Sequence, residues 1–429
     1  MNSIAEKKRF YIHTLGCKVN QYESQAMREI LIKAGFNDSG SREDADIYVL
    51  NTCTVTAEAD KESKRLVGQF HRANADAMIV VTGCLAERNA PDLAALPGVT
   101  HVVGNAQKGS IARIIAGKKI PEKGKDLRIS GFKGHSKAYV KIQDGCENKC
   151  SYCKVRLVRG RCKSKPIDDI VEEVQGLVCN GFREIILTGI CLGAWGKDFM
   201  NGAAGLIDVF KALTGLGGGF RVRLSSIEPK YVTDGLIEFM AGSGMVCPHL
   251  HIPFQSGDDD ILKLMNRPYT SSGYAAIVDK VRDRIPDIAI TTDMIIGFPG
   301  ESEERFKRSI DFIKRISPSR THIFTFSRRE GTSAHDLPGS VNGAALKERY
   351  KEMCAVTDEA ADIYRRSFLS RKLDVLVEER ADAATGLLRG YSDNYIYMHF
   401  TGRDDLIHGI IPVRVAGFNG DRTVGEIAC

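Results

Sequence analysis

A short loop near the middle of the chain carries three closely spaced cysteines. Residues 145–153 read GCENKCSYC, so Cys146, Cys150 and Cys153 follow a C-x3-C-x2-C spacing. Three thiolates on one loop can hold three irons of a [4Fe–4S] cube, and no fourth cysteine follows at ferredoxin spacing. Zinc, which prefers four protein ligands in structural sites, suits this set less well. The iron left open could bind a further ligand, so the loop predicts a catalytic cluster.

A second set of cysteines is spread over the first hundred residues. Cys17, Cys53 and Cys84 match no local metal motif, but each directly follows a predicted strand, in the contexts TLGC, LNTC and VTGC. Because the carboxyl ends of parallel strands share one edge of a sheet, we expect the three thiols to converge. Three independent buried thiols are the alternative, since free cysteine is often buried.

The remaining cysteines point less clearly to chemistry. Cys247, His249 and His251 alternate along a predicted strand and therefore share a face, which permits a metal site. The two histidines are better explained as residues lining the interior of a barrel. No role is assigned to the other five cysteines: Cys162, Cys179, Cys191, Cys354 and Cys429.

The elements that must position these residues form an α/β protein in three parts. Strands alternate with helices in residues 1–115, which predicts an N-terminal parallel α/β cluster domain. A linker at 116–136 leads to six further strand–helix units in 137–366, which suit a (βα) part-barrel. Residues 367–429 read as short strands with polar turns, a small all-β module.

Composition and charge limit the function classes. Twelve of the 429 residues are cysteine, and the N-terminus shows no apolar signal region, so metal or redox chemistry explains the cysteines better than disulfides. No apolar run approaches the roughly 20 residues that span a bilayer, and we expect a cytoplasmic protein with no membrane contact. Residues 118–165 hold fifteen Lys/Arg against four Asp/Glu. This excess predicts a polyanion partner such as nucleic acid, with a solvated basic linker as the alternative.

The all-β tail gives mixed indications about such a partner. It holds seven Lys/Arg and nine Asp/Glu and is therefore not basic. Tyr391, Tyr395, Tyr397 and Phe400 could stack on bases or could form the core of the module.

The cysteine loop resembles the signature of the radical S-adenosylmethionine (SAM) superfamily, as does Tyr152 just before its third cysteine. This resemblance implies that the open iron binds the amino and carboxylate groups of SAM, with Tyr152 against the adenine. It further implies that one electron, from a donor such as flavodoxin or ferredoxin, cleaves SAM to methionine and a 5′-deoxyadenosyl radical.

Both cysteine sets together resemble the methylthiotransferases over essentially the whole chain, with the tail as a TRAM domain. Further matching stretches are Asn20–Ser24, Arg159–Arg161, Leu187–Ile190, Arg223–Pro229, His251–Gly257, Met265–Thr270, Thr292–Glu301 and Ser327–Thr332. The resemblance implies two [4Fe–4S] clusters and two SAM molecules. One SAM methylates sulfur held at the Cys17/Cys53/Cys84 cluster, and the second supplies the radical that activates a C–H bond.

The same matching stretches suggest the polar contacts to SAM. All of the candidates stand near predicted strand ends, and ordinary barrel packing is the alternative for each. They are Thr188, Gly189, Ser226, Glu228, Gln255, Asp293 and Gly297.

Three substrates occur among the branches of this family. They are N6-threonylcarbamoyladenosine and N6-isopentenyladenosine in the tRNA anticodon stem-loop, and an aspartate of a ribosomal protein. Gly16–Ser24 and Leu187–Gly196 resemble the first branch, but Cys191 stands where the family usually has Asn. A thiol cannot replace the donors and acceptor of an amide. The sequence does not identify the sulfur donor.

Overall fold

The computed structural model describes residues 8–118, 126–200, 204–380 and 385–428. Residues 119–125 of the predicted linker lie outside these ranges. The chain divides into two compact units, the first made of Met1–Lys133, Gly145–Asn148 and Cys153–Arg161, and the second of the remaining residues. The domain limits at 115, 136 and 366 remain predictions.

The first unit is built on a five-stranded sheet of order β2-β1-β3-β4-β5, in which all strands run parallel. Its strands are β1 (Arg9–Thr14), β2 (Asn37–Asp38), β3 (Ile47–Thr52), β4 (Met78–Gly83) and β5 (Val99–Val103). Its helices are α1 (Lys18–Lys33), α2 (Ala57–Ala73), α3 (Cys84–Arg88), α4 (Ala90–Ala94), α5 (Ile111–Ile115) and α6 (Val155–Arg159), with a 3-10 turn at Asn105–Ser110.

Helices cover both faces of this sheet, which is why the first four residues of its central strand, Ile47–Leu50, are apolar. Every residue of β3 is buried. Tyr48 and Leu50 pack with Phe70 of α2 on one face, whereas Val49 packs with Met27 of α1 on the other. Burial on both faces is the usual state of a parallel strand and produces its near-continuous apolar sequence.

The second unit begins with an open run of parallel strands in chain order. The strands are β6 (Ala138–Asp144), β7 (Lys163–Ser164), β8 (Glu184–Gly189), β9 (Arg221–Leu224), β10 (His249–His251), β11 (Ala289–Ile296) and β12 (Arg320–Thr325). They pair as β7-β6-β8-β9 and β10-β11-β12, with only β7 antiparallel. Parallel bridges at Val222–Val246 and Ser226–His251 join the two groups. The result is the predicted part-barrel.

Helices connect these strands. They are α7 (Ile167–Cys179), α8 (Leu206–Thr214), α9 (Asp234–Gly242), α10 (Asp259–Leu264), α11 (Ser271–Arg284), α12 (Glu303–Ile316) and α13 (Gly343–Arg366), with 3-10 turns at Leu192–Ala194 and Pro229–Tyr231. No helix among the described residues is both long and apolar enough to cross a bilayer.

The tail is a closed five-stranded barrel of order β13-β14-β15-β17-β16. Its strands are β13 (Lys372–Arg380), β14 (Leu387–Ser392), β15 (Tyr397–Thr401), β16 (Ile410–Asn419) and β17 (Arg422–Ile427), with a 3-10 turn at Asp404–Leu406. The sequence predicted four of these strands and missed β17. The architecture fits a TRAM module.

This tail barrel closes the N-terminal end of the part-barrel. Arg221, the first residue of β9, donates to the carbonyls of Asp374 and Tyr391 at 2.7 and 3.0 Å. Arg223 donates to the carbonyls of Asp393 and Ser392 at 2.8 and 3.0 Å. Glu184 at the start of β8 binds both guanidinium groups.

The aromatic residues of the tail take part in this interface or in the tail's own core. The Tyr395 ring stacks on His249, with ring centroids 4.3 Å apart, and Lys137 lies over the Tyr391 ring. Phe400 is fully buried in the core of the tail barrel. The prediction that it could stack on bases is therefore wrong for Phe400, because its ring fills the barrel interior. Tyr391 and Tyr395 already pack within the second unit.

Candidate metal centres

Three cysteines lie at the carboxyl ends of three neighbouring strands in the N-terminal sheet. Cys17 follows β1 and is the residue before α1, Cys53 follows β3, and Cys84 is the first residue of α3 directly after β4. These strands are adjacent in the order β1-β3-β4, so their carboxyl ends share one edge. Local chain geometry thus brings three residues that are distant in sequence to one place.

The thiols are close enough to affect one another. A Cβ placed on Gly16 would lie 2.8 Å from Sγ of Cys53, so the loop before Cys17 packs directly on that sulfur. Burial raises the pKa of the Cys53 thiol to about 11, and the nearby Cys84 and Cys17 raise it as well. Cys17 is exposed whereas Cys53 and Cys84 are buried, so the group reaches from the core to the surface.

The three sulfurs do not all lie as close together as ligands of a single ion would. Among the described residues, one group of three or more His, Cys, Asp or Glu has all its ligand atoms within 4.8 Å, and it contains no cysteine. Thiolates on one tetrahedral ion with bonds of about 2.3 Å would be only roughly 3.8 Å apart. A donor set of thiols alone suits iron–sulfur chemistry. Cys17, Cys53 and Cys84 therefore fit an iron–sulfur cluster.

A buried polar network ties the loops of this site together. The Asn20 amide donates to the carbonyls of Leu15 and Thr52, at 2.7 and 2.9 Å, and thus joins the segments before Cys17 and Cys53. Arg159 donates to the Asn20 side chain and to Glu23, each at 2.6 Å. The sequence showed these residues only as parts of matching stretches and did not reveal their contacts.

The cysteine loop after β6 is held by backbone and side-chain contacts at several points. The Cys146 amide donates to the Gly160 carbonyl at 3.0 Å. Asn266 donates to the Lys149 carbonyl at 2.7 Å, and the Ser151 backbone amide donates to the Met265 carbonyl at 3.0 Å. Cys146, Cys150 and Cys153 are all partly exposed.

Arg267 contacts this loop and was not singled out from the sequence. Its guanidinium donates to Sγ of Cys150 at 3.1 Å and pairs with the Glu228 carboxylate. The Glu228 carboxylate, predicted to touch SAM, is thus engaged with Arg267. Such outer contacts commonly orient and tune metal ligands.

Tyr152 lies beside a small apolar cluster of the second unit. Its ring meets Phe298 edge to face, with centroids 6.5 Å apart, and it packs against the group of Met265, Phe298 and Ala334. One side of the ring is therefore fixed by protein contacts, which suits a residue that holds a flat ligand.

The other predicted SAM contacts lie at or near the carboxyl ends of the part-barrel strands, but several have structural partners. Thr188 and Gly189 end β8, and the Gln143 side chain that approaches Gly189 also accepts from the Cys191 amide at 2.7 Å. Ser226 follows β9 and forms the bridge to His251. The backbone contact at Cys191 does not depend on its side chain.

Gln255 and Gly297 both have left-handed backbone conformations. Gln255 has a φ of 73°, and its backbone N–H donates to the backbone carbonyl of Asp293 at 2.9 Å. Gly297 follows β11, and a Cβ at this position would lie only 2.5 Å from Leu346 of α13. Packing against α13 therefore gives one physical reason for a glycine here.

Asp293 belongs to a polar cluster inside the part-barrel. The ligand atoms of His251, Asp293 and His322 all lie within 4.8 Å of one another, on three neighbouring strands. His251 contacts Asp293 through Nε2 at 3.1 Å and Thr291 through Nδ1 at 2.9 Å. The two predicted interior histidines share Thr291, whose hydroxyl also lies 2.9 Å from His249 Nε2, while the His249 ring stacks on Tyr395.

Comparisons with known proteins agree with this architecture. The family described as Uncharacterized protein family UPF0004 matches residues 9–104, and the Radical SAM superfamily matches residues 140–313. A threonylcarbamoyladenosine tRNA methylthiotransferase from Bacillus subtilis is 35% identical, over 94% of this chain and 92% of its own. One of the same name from Thermotoga maritima is 38% identical over 92% of each chain. The chain belongs to the radical SAM methylthiotransferases.

Two further comparisons concern a relative with a different named substrate and a solved structure. A tRNA-2-methylthio-N(6)-dimethylallyladenosine synthase from Geobacillus thermodenitrificans is 30% identical over 98% of this chain and 84% of its own. The radical SAM methyltransferase TsrM from Kitasatospora setae shares the fold, with a TM-score of 0.55 and 16% identity over 77% of each chain. As a radical SAM methylthiotransferase, the protein is an enzyme that uses SAM and iron–sulfur chemistry.

Proposed function

We propose that this enzyme modifies tRNA by inserting a methylthio group at C2 of N6-threonylcarbamoyladenosine, next to the anticodon. It uses two SAM molecules and two [4Fe–4S] clusters. The observation that carries the proposal is the converging set of Cys17, Cys53 and Cys84, present in addition to the cysteine loop. A single cluster would suffice to make a radical, whereas sulfur insertion also needs a site that holds sulfur.

The residues divide these tasks between them. When bound, the loop cluster supplies an electron and an open coordination position for SAM, and the second cluster supplies the place where sulfur is held. Cys146, Cys150 and Cys153 hold the first, and Cys17, Cys53 and Cys84 hold the second. Arg267 orients Cys150, and Tyr152 offers its ring to the adenine. Thr188, Gly189, Ser226, Glu228, Gln255, Asp293 and Gly297 are the proposed surroundings of SAM.

Charge near the cysteine loop supports an RNA substrate. Several cations of the basic segment are ion-paired, among them Lys133 with Asp38, Lys137 with Glu378, and Lys141 with Asp144. Lys119, Lys123 and Lys125 lie outside the described residues. In contrast, Lys149, Arg156, Arg161 and Lys163 are exposed and lie within or soon after the loop. Such side chains can neutralise phosphates of an anticodon stem-loop.

The choice of nucleoside rests on the named relatives. Relatives named as threonylcarbamoyladenosine tRNA methylthiotransferases are 34–38% identical, against 30–34% for those named as tRNA-2-methylthio-N(6)-dimethylallyladenosine synthases. The electron would come from a donor such as flavodoxin or ferredoxin, in the cytoplasm.

Mass spectrometry of tRNA nucleosides tests this proposal directly. Cells that lack the gene should lose 2-methylthio-N6-threonylcarbamoyladenosine and accumulate its unthiolated precursor, and the intact gene should restore the product. Loss of the isopentenyl product instead would assign the enzyme to the second branch. Unchanged tRNA nucleosides, with loss of a methylthio group from a ribosomal protein aspartate, would assign it to the third.

A further inference from the structure

Two buried cations of the N-terminal unit share one carboxylate. Lys108 Nζ pairs with Glu23, and Arg159 donates to the same carboxylate at 2.6 Å. The side chains of Lys108, Arg159 and Glu23 are 0%, 1% and 2% exposed. Among the described residues of this unit, Glu23 is the only acidic residue in the buried class. More positive than negative charge is thus buried at one point.

This trio adjoins the loops that carry the three cysteines. Lys108 donates to the Asn51 side chain at 3.1 Å, and Asn51 is two residues before Cys53. Arg159 donates to Asn20, whose amide bridges the segments before Cys17 and Cys53. Burial lowers the pKa of Lys108, and Cys84 lies close enough to this lysine to act against that shift. All three cysteine segments therefore lie next to the buried cations.

Buried charge is costly unless an opposite charge stands close by. A [4Fe–4S] cube held by three thiolates is itself anionic, and it becomes more so on reduction. Net charge and hydrogen bonding around such a cluster help to set its reduction potential. A cluster at Cys17, Cys53 and Cys84 would supply the negative charge that Glu23 alone does not.

We propose that Lys108 and Arg159 are the built-in counter-charges of the cluster at Cys17, Cys53 and Cys84, and that they favour its reduced form. The inference rests on the proposed function, since it requires that second cluster. The two residues act on the cluster through space and through Asn20 and Asn51. They are therefore tuning and positioning residues and not catalytic ones.

The test uses the full chain with Cys146, Cys150 and Cys153 replaced by Ala, so that only the second cluster can form. Its midpoint potential is followed by electron paramagnetic resonance during a redox titration. Lys108→Met should make reduction of the second cluster about tenfold less favourable or more. For one electron, a tenfold change shifts the midpoint potential by about 59 mV to more negative values. Glu23→Gln, which removes the negative charge, should shift the potential the other way. Lys133→Met, at a half-exposed cation of the same unit, is the control and should leave the potential unchanged.

Shifts of the midpoint potential in opposite directions for Lys108→Met and Glu23→Gln distinguish counter-charges from structural support. Lost packing would lower the cluster content of both variants, but it would not reverse the direction of the shift. Shifts in the same direction, or none, overturn the inference while the second cluster stands. If the triple-Ala protein binds no iron–sulfur cluster, the proposed function and the inference both fail, and iron content shows this directly. If Lys108→Met does not fold, the sign of the Glu23→Gln shift decides alone.

Discussion

The guanidinium of Arg267 lies 3.1 Å from Sγ of Cys150, the middle cysteine of the loop. The Arg267 side chain is only 2% exposed, and its other arm pairs with Glu228. A hydrogen bond from a cation favours the thiolate, which is the form that binds iron. The contact also fixes the direction in which Cys150 presents its sulfur.

Arg267→Met should therefore weaken SAM cleavage without unfolding the barrel. Loss of a contact to a metal ligand commonly costs about 10–100-fold in metal affinity or activity. The measurement is 5′-deoxyadenosine formed per bound iron after chemical reduction. Arg284→Met, at an exposed ion pair with Glu238, is the matched control. Equal cleavage by the Arg267 and Arg284 variants would show that the contact to Cys150 has no role.

Replacing single cysteines should separate the two proposed sites. Cys150→Ala should abolish both SAM cleavage and methylthiolated product, because the loop then lacks a ligand. Cys53→Ala should still cleave SAM but should form no methylthiolated nucleoside. Liquid chromatography with mass spectrometry measures both products in one reaction on tRNA. Methylthiolated product from the Cys53 variant would refute the division of labour, and Cys179→Ala, at an exposed thiol, controls for loss of any cysteine.

Gly145→Ala should disrupt the cysteine loop far more than Gly160→Ala. Both glycines have left-handed φ, 74° and 69°, so a side chain is strained at each. They differ in the room available for a side chain. A Cβ on Gly145 would lie 1.9 Å from the Arg161 carbonyl oxygen, whereas a Cβ on Gly160 would meet no atom within 4 Å. We expect the Gly145 variant to lose the loop cluster and the Gly160 variant to retain most of it. Iron content and the cluster absorption spectrum measure the difference, and similar losses in the two variants would contradict it.

Glu184 should stabilise the second unit down to acidic pH. Burial alone would raise its pKa, but Arg223 and Arg221 outweigh burial and hold the pKa far below the usual range. Since the pKa of the folded state lies below the unfolded value of about 4.3, the stabilisation is complete above that pH. It is lost only as the pH falls towards the folded value.

Glu184→Gln should accordingly lower the free energy of unfolding at pH 7 by about 3–5 kcal/mol, because it leaves two buried arginines without their carboxylate. Trp195, the single tryptophan and a buried residue of this unit, reports urea unfolding. The difference in free energy of unfolding between wild type and Glu184→Gln should become smaller below about pH 4. Glu238→Gln, at an exposed residue, is the control and should have the same free energy of unfolding as wild type. If the difference between wild type and Glu184→Gln were the same at all pH values, ionisation of Glu184 could not be the cause of the stabilisation.

Much of the fold could be predicted because apolar strands alternate with amphipathic helices in chain order. Six of the seven part-barrel strands and four of the five tail strands are predicted in this way, whereas the two-residue β7 and β17, with Gly425 inside it, have weak strand patterns. Faces were harder to predict than elements. Nothing in the sequence shows that Tyr395 meets His249, because that depends on which surfaces pack together.

The candidate site is predictable from the sequence where its cysteines have a characteristic short spacing, as in the cysteine loop. Contacts between distant segments were not. Arg267 and Cys150 are 117 residues apart, and Lys108 and Glu23 are 85 apart. Lys108 has no local pattern that marks it as buried, since a lysine is ordinarily exposed.

The closure of the part-barrel by the tail also sets an order for biosynthesis. Arg221 bonds carbonyls that stand 153 and 170 residues further along the chain. Because domains form as the chain emerges from the ribosome, the guanidinium groups of Arg221 and Arg223 in β9 find their acceptors only after residues 374–393 have been made. A chain that stops short of residue 367 therefore lacks the carbonyls that cover the guanidinium groups of Arg221 and Arg223.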